Sequence, residues 1–164
     1  MNIKPLFKKL TQVGFVVKDC KATAKRYWDE FGIGPWEFYT LDPSNTPDMT
    51  LRGKPVQHAF RAALTRIGDV GLELIEPLSG ASLYAEHLSV HGEGLHHLAF
   101  DVENFGQLRI LLGQEGYSEI QTGRPFDVTT YSYFDTDRTL GFIAELGEDV
   151  VGGKAFPTPD FIYP

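Results

Sequence analysis

The chain has 164 residues, 42% of them hydrophobic and 23% charged, with a formal net charge of −7. That length suits one domain with an ordinary soluble core, and the negative charge argues against nucleic acid as a partner, because phosphate neutralisation needs a basic face. No stretch approaches the ~18 consecutive apolar residues of a membrane span, Met1–Lys9 lacks the apolar run of a signal peptide, and the lone cysteine, Cys20, allows no intrachain disulfide, so the expectation is a cytoplasmic setting with no membrane partner.

Residues 10–18 predict a strand, with Val13, Phe15 and Val17 alternating against Gln12, Gly14 and Val16. Asp19 is placed to cap an amphipathic helix over 20–31 that carries Ala22, Tyr27 and Phe31. Cys20, at its start, reads as a small surface or packing residue. Gly32 and Gly34 end the helix, and Pro35 blocks its continuation. Residues 36–41 predict a strand. The polar, Pro-containing stretch 42–55 predicts a loop, either a lid or a disordered connection. Strands over 57–67 and 70–76 follow, joined by a Gly68-Asp69 turn, and Pro77 closes this half. A short helix over 81–90 bridges onward. The same order then returns: a strand at 95–102, then a helix over 104–115 with Phe105, Leu108, Leu111 and Leu112 on one side, then strands near 117–122, 130–135 and 141–147. The tail, 149–164, is rich in Gly and Pro and is expected to be irregular.

The recurrence is an internal repeat. Residues 97–102 superpose on 12–17, and 141–146 superpose on 70–74 at the glutamates. Two copies of strand–helix–three strands, about 10–77 and 94–148, explain the chain. The predicted class is α+β, with two βαβββ modules forming a cup-shaped, eight-stranded mixed sheet in a single domain.

Register turns the repeat into chemistry, because alternate strand residues face opposite sides. The apolar sets Val13/Phe15/Val17 and Leu98/Phe100/Val102 suit the face under the helices, which leaves Gln12 and His97 at equivalent positions on the other face. Leu72/Leu74 and Phe142/Ala144/Leu146 likewise leave Glu73 and Glu145 opposite. If the sheet curves into a cup, the four polar side chains meet on its floor. One imidazole, two carboxylates and one amide oxygen suit a divalent Zn, Co, Mn, Ni or Fe(II) ion. Uncompensated buried carboxylates are costly, so a cation there is physically sensible. Taken singly, each residue reads as a solvated or structural side chain. Their matching positions carry the metal reading, and a metal-free binding cup is its alternative.

The segments HGEGLHHLAFDV (91–102), LELIEPL (72–78) and GFIAELGE (141–148) resemble the vicinal oxygen chelate superfamily, the glyoxalase, bleomycin-resistance and dioxygenase proteins. Within it, the chain is most similar to methylmalonyl-CoA epimerase-like members. The resemblance implies paired βαβββ modules, a divalent metal and a homodimer. It places the metal ligands at Gln12, Glu73, His97 (rather than His96) and Glu145. The chain departs from the epimerase pattern at Gln12, where His is usual, and in lacking a carboxylate on the strand at 57–66. It departs from glyoxalase I at Val16, where that enzyme carries an arginine.

The function implied is a metal-dependent isomerase, epimerase or lyase acting on a small carbonyl or acyl-CoA compound through an enolate stabilised by a Lewis acid. By the resemblance Glu145 is the catalytic base and Glu73 its partner. His58, Arg61, Arg124, Tyr131 and Tyr133 are candidates for the substrate side, with strand packing or surface as the plainer reading of each. The competing functions are sequestration of a small molecule without chemistry, a regulatory or structural domain, and an Fe(II) dioxygenase, which prefers two His and one carboxylate.

Overall fold

The computed structural model describes residues 6–149 and 155–164. β1 (Lys9–Val16) leads into α1 (Cys20–Phe31), whose N-cap Asp19 accepts a hydrogen bond from the Ala22 N–H at 2.9 Å. Gly32 ends the helix in the left-handed region, φ 66°, a conformation that costs a side-chain-bearing residue more than glycine. β2 (Trp36–Leu41), β5 (Ala59–Ile67) and β6 (Val70–Ser79) complete the first run, with the short ladders β3 (Thr50–Leu51) and β4 (Lys54–Pro55) inside the connection. After α2 (Leu83–His91) the order recurs as β7 (Gly94–Asp101), α3 (Phe105–Gln114), β8 (Glu119–Gly123), β9 (Thr129–Phe134), the one-turn α4 (Asp137–Leu140) and β10 (Ile143–Asp149). β11 (Phe161–Tyr163) follows.

All the strands join one mixed sheet in the order β11-β2-β5-β6-β1-β7-β10-β9-β8-β3-β4. β1 and β7 pair antiparallel at its middle, and each has the last strand of its own run as a parallel neighbour, β6 for β1 and β10 for β7. The sheet therefore has eleven strands where the repeat predicts eight. The additions lie at the two edges. β11 pairs with β2, and β3 pairs with β8 and carries β4. An uncovered edge presents a row of unpaired N–H and C=O groups, and short flanking strands satisfy part of that row. The tail is thus not irregular throughout, because its end is a strand. Residues 150–154 lie outside the described residues. The stretch 42–55 is an ordered crossover and not a disordered connection: Thr46 and Met49 are buried in it, and the Phe126 N–H donates to Asn45 O at 2.7 Å.

Helices α1 and α3 lie on one face of the sheet, whereas Leu83 and Tyr84 of α2 join the cluster on the other. Val17, Cys20, Ala24, Trp36, Phe38, Ala63 and Leu74 form one core under α1, and Leu108, Leu112, Phe134 and Leu146 form another under α3. Each large side chain fully buried there contributes about 2–3 kcal/mol of transfer free energy. Cys20 is such a packing residue. Its Sγ–H is 3.2 Å from Leu74 O, and burial pushes the thiol pKa up. The buried stripe of α1 is Cys20, Thr23 and Ala24, while Ala22 and Phe31 are exposed, contrary to expectation. Leu111 of α3 is also exposed. In both helices the 3.6-residue spacing from Cys20 or Leu108, more than apolar identity, selects the inward side. Pro77 does not end β6, which runs to Ser79. β1 pairs with β6 only as far as Ile75, so beyond that point the missing proline N–H leaves no gap in the central ladder.

The opposite face is concave and holds a third cluster, including Tyr39, Leu41, Phe60, Ala62, Ile75, Tyr84, Tyr131 and Tyr133. No helix among the described residues is long and apolar enough to cross a membrane.

Candidate metal centre

The four predicted side chains meet on the floor of the concave face. Register explains why. Glu73 sits opposite Gly14 on β1, and Glu145 sits opposite Ala99 on β7. β1 and β7 pair Gln12 with Ala99 and Gly14 with His97. The same repeat relation links every one of these pairs, so Glu73 and Glu145 flank the seam from either side. His97 Nε2 lies 2.9 Å from Glu145 Oε2, 3.4 Å from Glu73 Oε2 and 3.4 Å from Gln12 Oε1. One donor atom from each of Glu73, His97 and Glu145 falls within 4.8 Å of the others.

His97 is wholly buried, and its room comes from a glycine. A Cβ at position 14 would lie 2.0 Å from the imidazole, so the ring occupies space that only a glycine on β1 leaves open. Burial alone would lower the imidazole pKa. The charges and hydrogen bonds of Glu145 and then Glu73 outweigh it and push the value up to about 9. Burial likewise raises Glu73, with the neighbouring Glu145 charge adding to the effect and His97 opposing it.

These residues fit a divalent cation. Glu145 Oε2 is buried, 2.9 Å from the one imidazole nitrogen that also faces Glu73 Oε2 at 3.4 Å. Two buried carboxylates sharing a single imidazole are costly unless further positive charge compensates them. An imidazole nitrogen, two carboxylate oxygens and an amide oxygen form a donor set for a borderline or hard ion, with positions left for a substrate.

Above the floor opens a cavity of about 910 Å³, lined by Gln12, Glu73 and Glu145 together with Tyr39, Tyr131 and Tyr133. Tyr131 and Tyr133 therefore do lie on the concave side. Tyr133 stacks at a tilt on His97 with centroids 4.9 Å apart and shares a hydrogen bond of 3.0 Å with the Tyr84 hydroxyl. The other candidates for that side lie elsewhere. His58 packs against Phe60 and Tyr84 and is not part of the lining. Arg61 pairs with Glu76 beside α1, and Arg124 with Asp48 and Asp127. Val16, at the glyoxalase I arginine position, is wholly buried.

Sequence reasoning missed two features. Phe126 and Asp127 adopt φ of 53° and 59°, a left-handed pair without glycine. They direct the Phe126 ring against Tyr39 and Phe156, with centroids 5.9 and 5.6 Å away, in a three-ring cluster of which Tyr39 and Phe156 line the cavity. No local sequence signal marks that turn. The second feature is His96, set aside because its register should turn it away. It is buried beside His97, with the two Nδ1 atoms 3.1 Å apart.

The family model of the glyoxalase/bleomycin resistance protein/dioxygenase superfamily matches residues 11–133. The chain belongs to that superfamily. No curated protein matches the sequence. Among solved structures, methylmalonyl-CoA epimerase from Mycobacterium tuberculosis is similar at 21% identity and TM-score 0.67, covering 91% of this chain and 93% of that one. A hypothetical protein from Bacillus halodurans is similar at 22% identity and TM-score 0.67, covering 90% and 98%. A Streptomyces coelicolor methylmalonyl-CoA epimerase variant, solved with 2-nitronate-propionyl-CoA, follows at 18% identity and TM-score 0.62, covering 91% and 99%. At these identities the likeness is one of fold, and superfamily members differ in chemistry on that fold.

Proposed function

We propose that this superfamily member is a metal-dependent isomerase, epimerase or lyase that enolises a small carbonyl or acyl-CoA compound held in the cup. The observation that carries the reading is the meeting of two carboxylates, from repeat-equivalent strands, at one buried imidazole beneath the cavity. Gln12, Glu73, His97 and Glu145 would hold a divalent Zn, Co, Mn, Ni or Fe(II) ion. When bound, the ion supplies Lewis-acid stabilisation of negative charge developing on a substrate oxygen.

The chain's own residues do the rest. Glu145 takes the proton from the substrate carbon, and Glu73, across the seam, is the acid that delivers one. Delivery to the opposite face of the same carbon is epimerisation, and delivery to a neighbouring atom is isomerisation. Tyr131 and Tyr133 wall the Glu145 side of the cavity and limit water there. The epimerase neighbours support the acyl-CoA branch of this reading. A cytoplasmic homodimer of single-domain protomers is the arrangement we propose with it.

The test is elemental analysis of untagged protein, combined with exchange of substrate α-hydrogens in deuterated water, using propionyl-CoA and an α-keto acid as probes. The expected result is about one divalent ion per chain, lost in His97→Ala and Glu145→Ala, with exchange abolished alongside. Protein that takes up none of Zn, Mn, Co or Ni would overturn the reading and leave a metal-free binding cup. Metal with oxygen consumption in place of exchange would point to a dioxygenase.

A further inference from the structure

Neighbouring residues of a strand point to opposite faces, so His96 and His97 should not touch. They touch because β7 carries an irregularity. Along the β1–β7 ladder the partner of Gly14 is His97 and the partner of Phe15 is Leu95, which leaves His96 as an extra, unpaired residue. Such a bulge re-aims a side chain. The same shift recurs on β1, where Leu10 pairs with Phe100 and Gln12 with Ala99, leaving Thr11 as the extra residue. Each candidate ligand on the seam strands is thus preceded by a bulged residue. In the first half that residue is a threonine whose hydroxyl donates to Ala99 O at 3.1 Å, and in the second it is a histidine.

The bulge sets the two imidazoles nearly perpendicular, at 88°, with centroids 5.3 Å apart. The two nitrogens of His97 are then fully assigned. Nε2 faces Glu145, Glu73 and Gln12, and Nδ1 faces His96 Nδ1. A ring whose Nε2 offers its lone pair to a cation carries its proton on Nδ1, and that N–H needs an acceptor in a site closed to water. The acceptor present is His96 Nδ1. His96 is itself held by packing, with Tyr84 at 5.3 Å, Tyr133 at 5.4 Å and His87 at 5.2 Å between ring centroids.

We propose that His96 is a positioning residue for the metal centre: its bulged imidazole accepts the His97 Nδ1–H bond and so fixes the tautomer and the orientation in which His97 presents Nε2 to a cation. This rests on the metal reading above and assigns a task to a residue outside the four ligands. It also gives the bulge a function, because a regular strand would turn residue 96 to the helix face.

The experiment compares the unsubstituted chain with His96→Asn and His96→Leu. Asn places a carbonyl oxygen at the same chain position as the imidazole Nδ1, whereas Leu fills space without an acceptor. Zinc affinity is measured by competition with a chelating dye, and Nδ1 protonation of His97 is read by 15N NMR on metal-free and zinc-loaded protein. The expected result is a zinc affinity about 10–100-fold weaker in His96→Leu, largely restored in His96→Asn. The His97 Nδ1–H signal should be present in the unsubstituted chain and in His96→Asn. Equal zinc affinity in all three proteins, or a zinc-loaded His97 protonated at Nε2, would overturn the proposal. If the unsubstituted chain binds no zinc, the metal reading fails. In that case, an absent Nδ1–H bond in the metal-free NMR spectrum overturns the positioning role separately.

Discussion

The two halves of the sheet occupy equivalent positions with different side chains. On β1 the seam residues are Gln12 and Gly14, and on β7 their counterparts are His97 and Ala99. The difference is spatial as much as chemical. Gly14 lacks a Cβ where the His97 ring lies, while Ala99 keeps its Cβ opposite the flexible Gln12 amide. The glutamates are symmetric, but the groups between them are not. The repeat supplies a symmetric frame, and two small residues decide on which side the frame admits an imidazole.

The sharpest way to break this comparison is Gly14→Ala. The added methyl overlaps the His97 ring at 2.0 Å, and we expect zinc affinity to fall more than about 100-fold, beyond the usual effect of an outer-shell change. The reciprocal Ala99→Gly should alter it only slightly, and calorimetric zinc titration of both variants distinguishes the sides.

The outer edges of the halves also differ. The first is covered by the tail strand β11, with Phe161 stacked on Phe38 at 4.2 Å and Lys21 over its ring at 4.6 Å. The second is covered by β3, from the crossover. Phe161→Ala should lower stability by about 1–3 kcal/mol in denaturant melts, from lost apolar contact and stacking. An unchanged midpoint would mean that β11 is peripheral.

A smaller effect sharpens the seam comparison. Gln12→His places an imidazole in both halves, but Ala99 crowds it as Gly14 does not crowd His97. The double variant Gln12→His with Ala99→Gly should therefore bind zinc about tenfold more tightly than Gln12→His alone. Equal affinities would show that the asymmetry of the small residues is irrelevant. The smallest effect is expected at the crossover surface. Arg52 makes a two-pronged pair with Glu86 at 2.8 and 2.6 Å, and Arg52 holds the Glu86 carboxyl below the usual range. Both side chains are about half exposed, so Arg52→Ala should cost less than about 1 kcal/mol. Because the folded-state pKa of Glu86 is depressed, that contribution is present near neutrality and disappears as pH falls through the folded value. Melts at pH 7 and under acid conditions check the sign.

Much of the site was legible in the sequence because two short-range rules suffice for it. The period-2 alternation puts Gln12, Glu73, His97 and Glu145 off the apolar face, and the repeat puts them at matching depths. The substrate-side candidates were not legible in the same way. His58, Arg61 and Tyr131 all lie on or beside strands, yet only Tyr131 lines the cavity. Their surroundings depend on neighbouring strands and on α2, which no window of sequence reports. Ala22, Phe31 and Leu111 mislead for a related reason, since an apolar side chain does not reveal which turn of a helix faces the sheet.

The sequence by itself therefore determined the repeat, the alternation and the four polar positions, because these follow from backbone geometry within each strand. Only the tertiary structure decided the rest. Pairing between β1 and β7 creates the bulge that brings His96 to His97, Gly14 yields room to a ring 83 residues away, and the edges recruit β3 and β11. Each of these is a property of the partner strand, and a strand's own residues do not specify its partner.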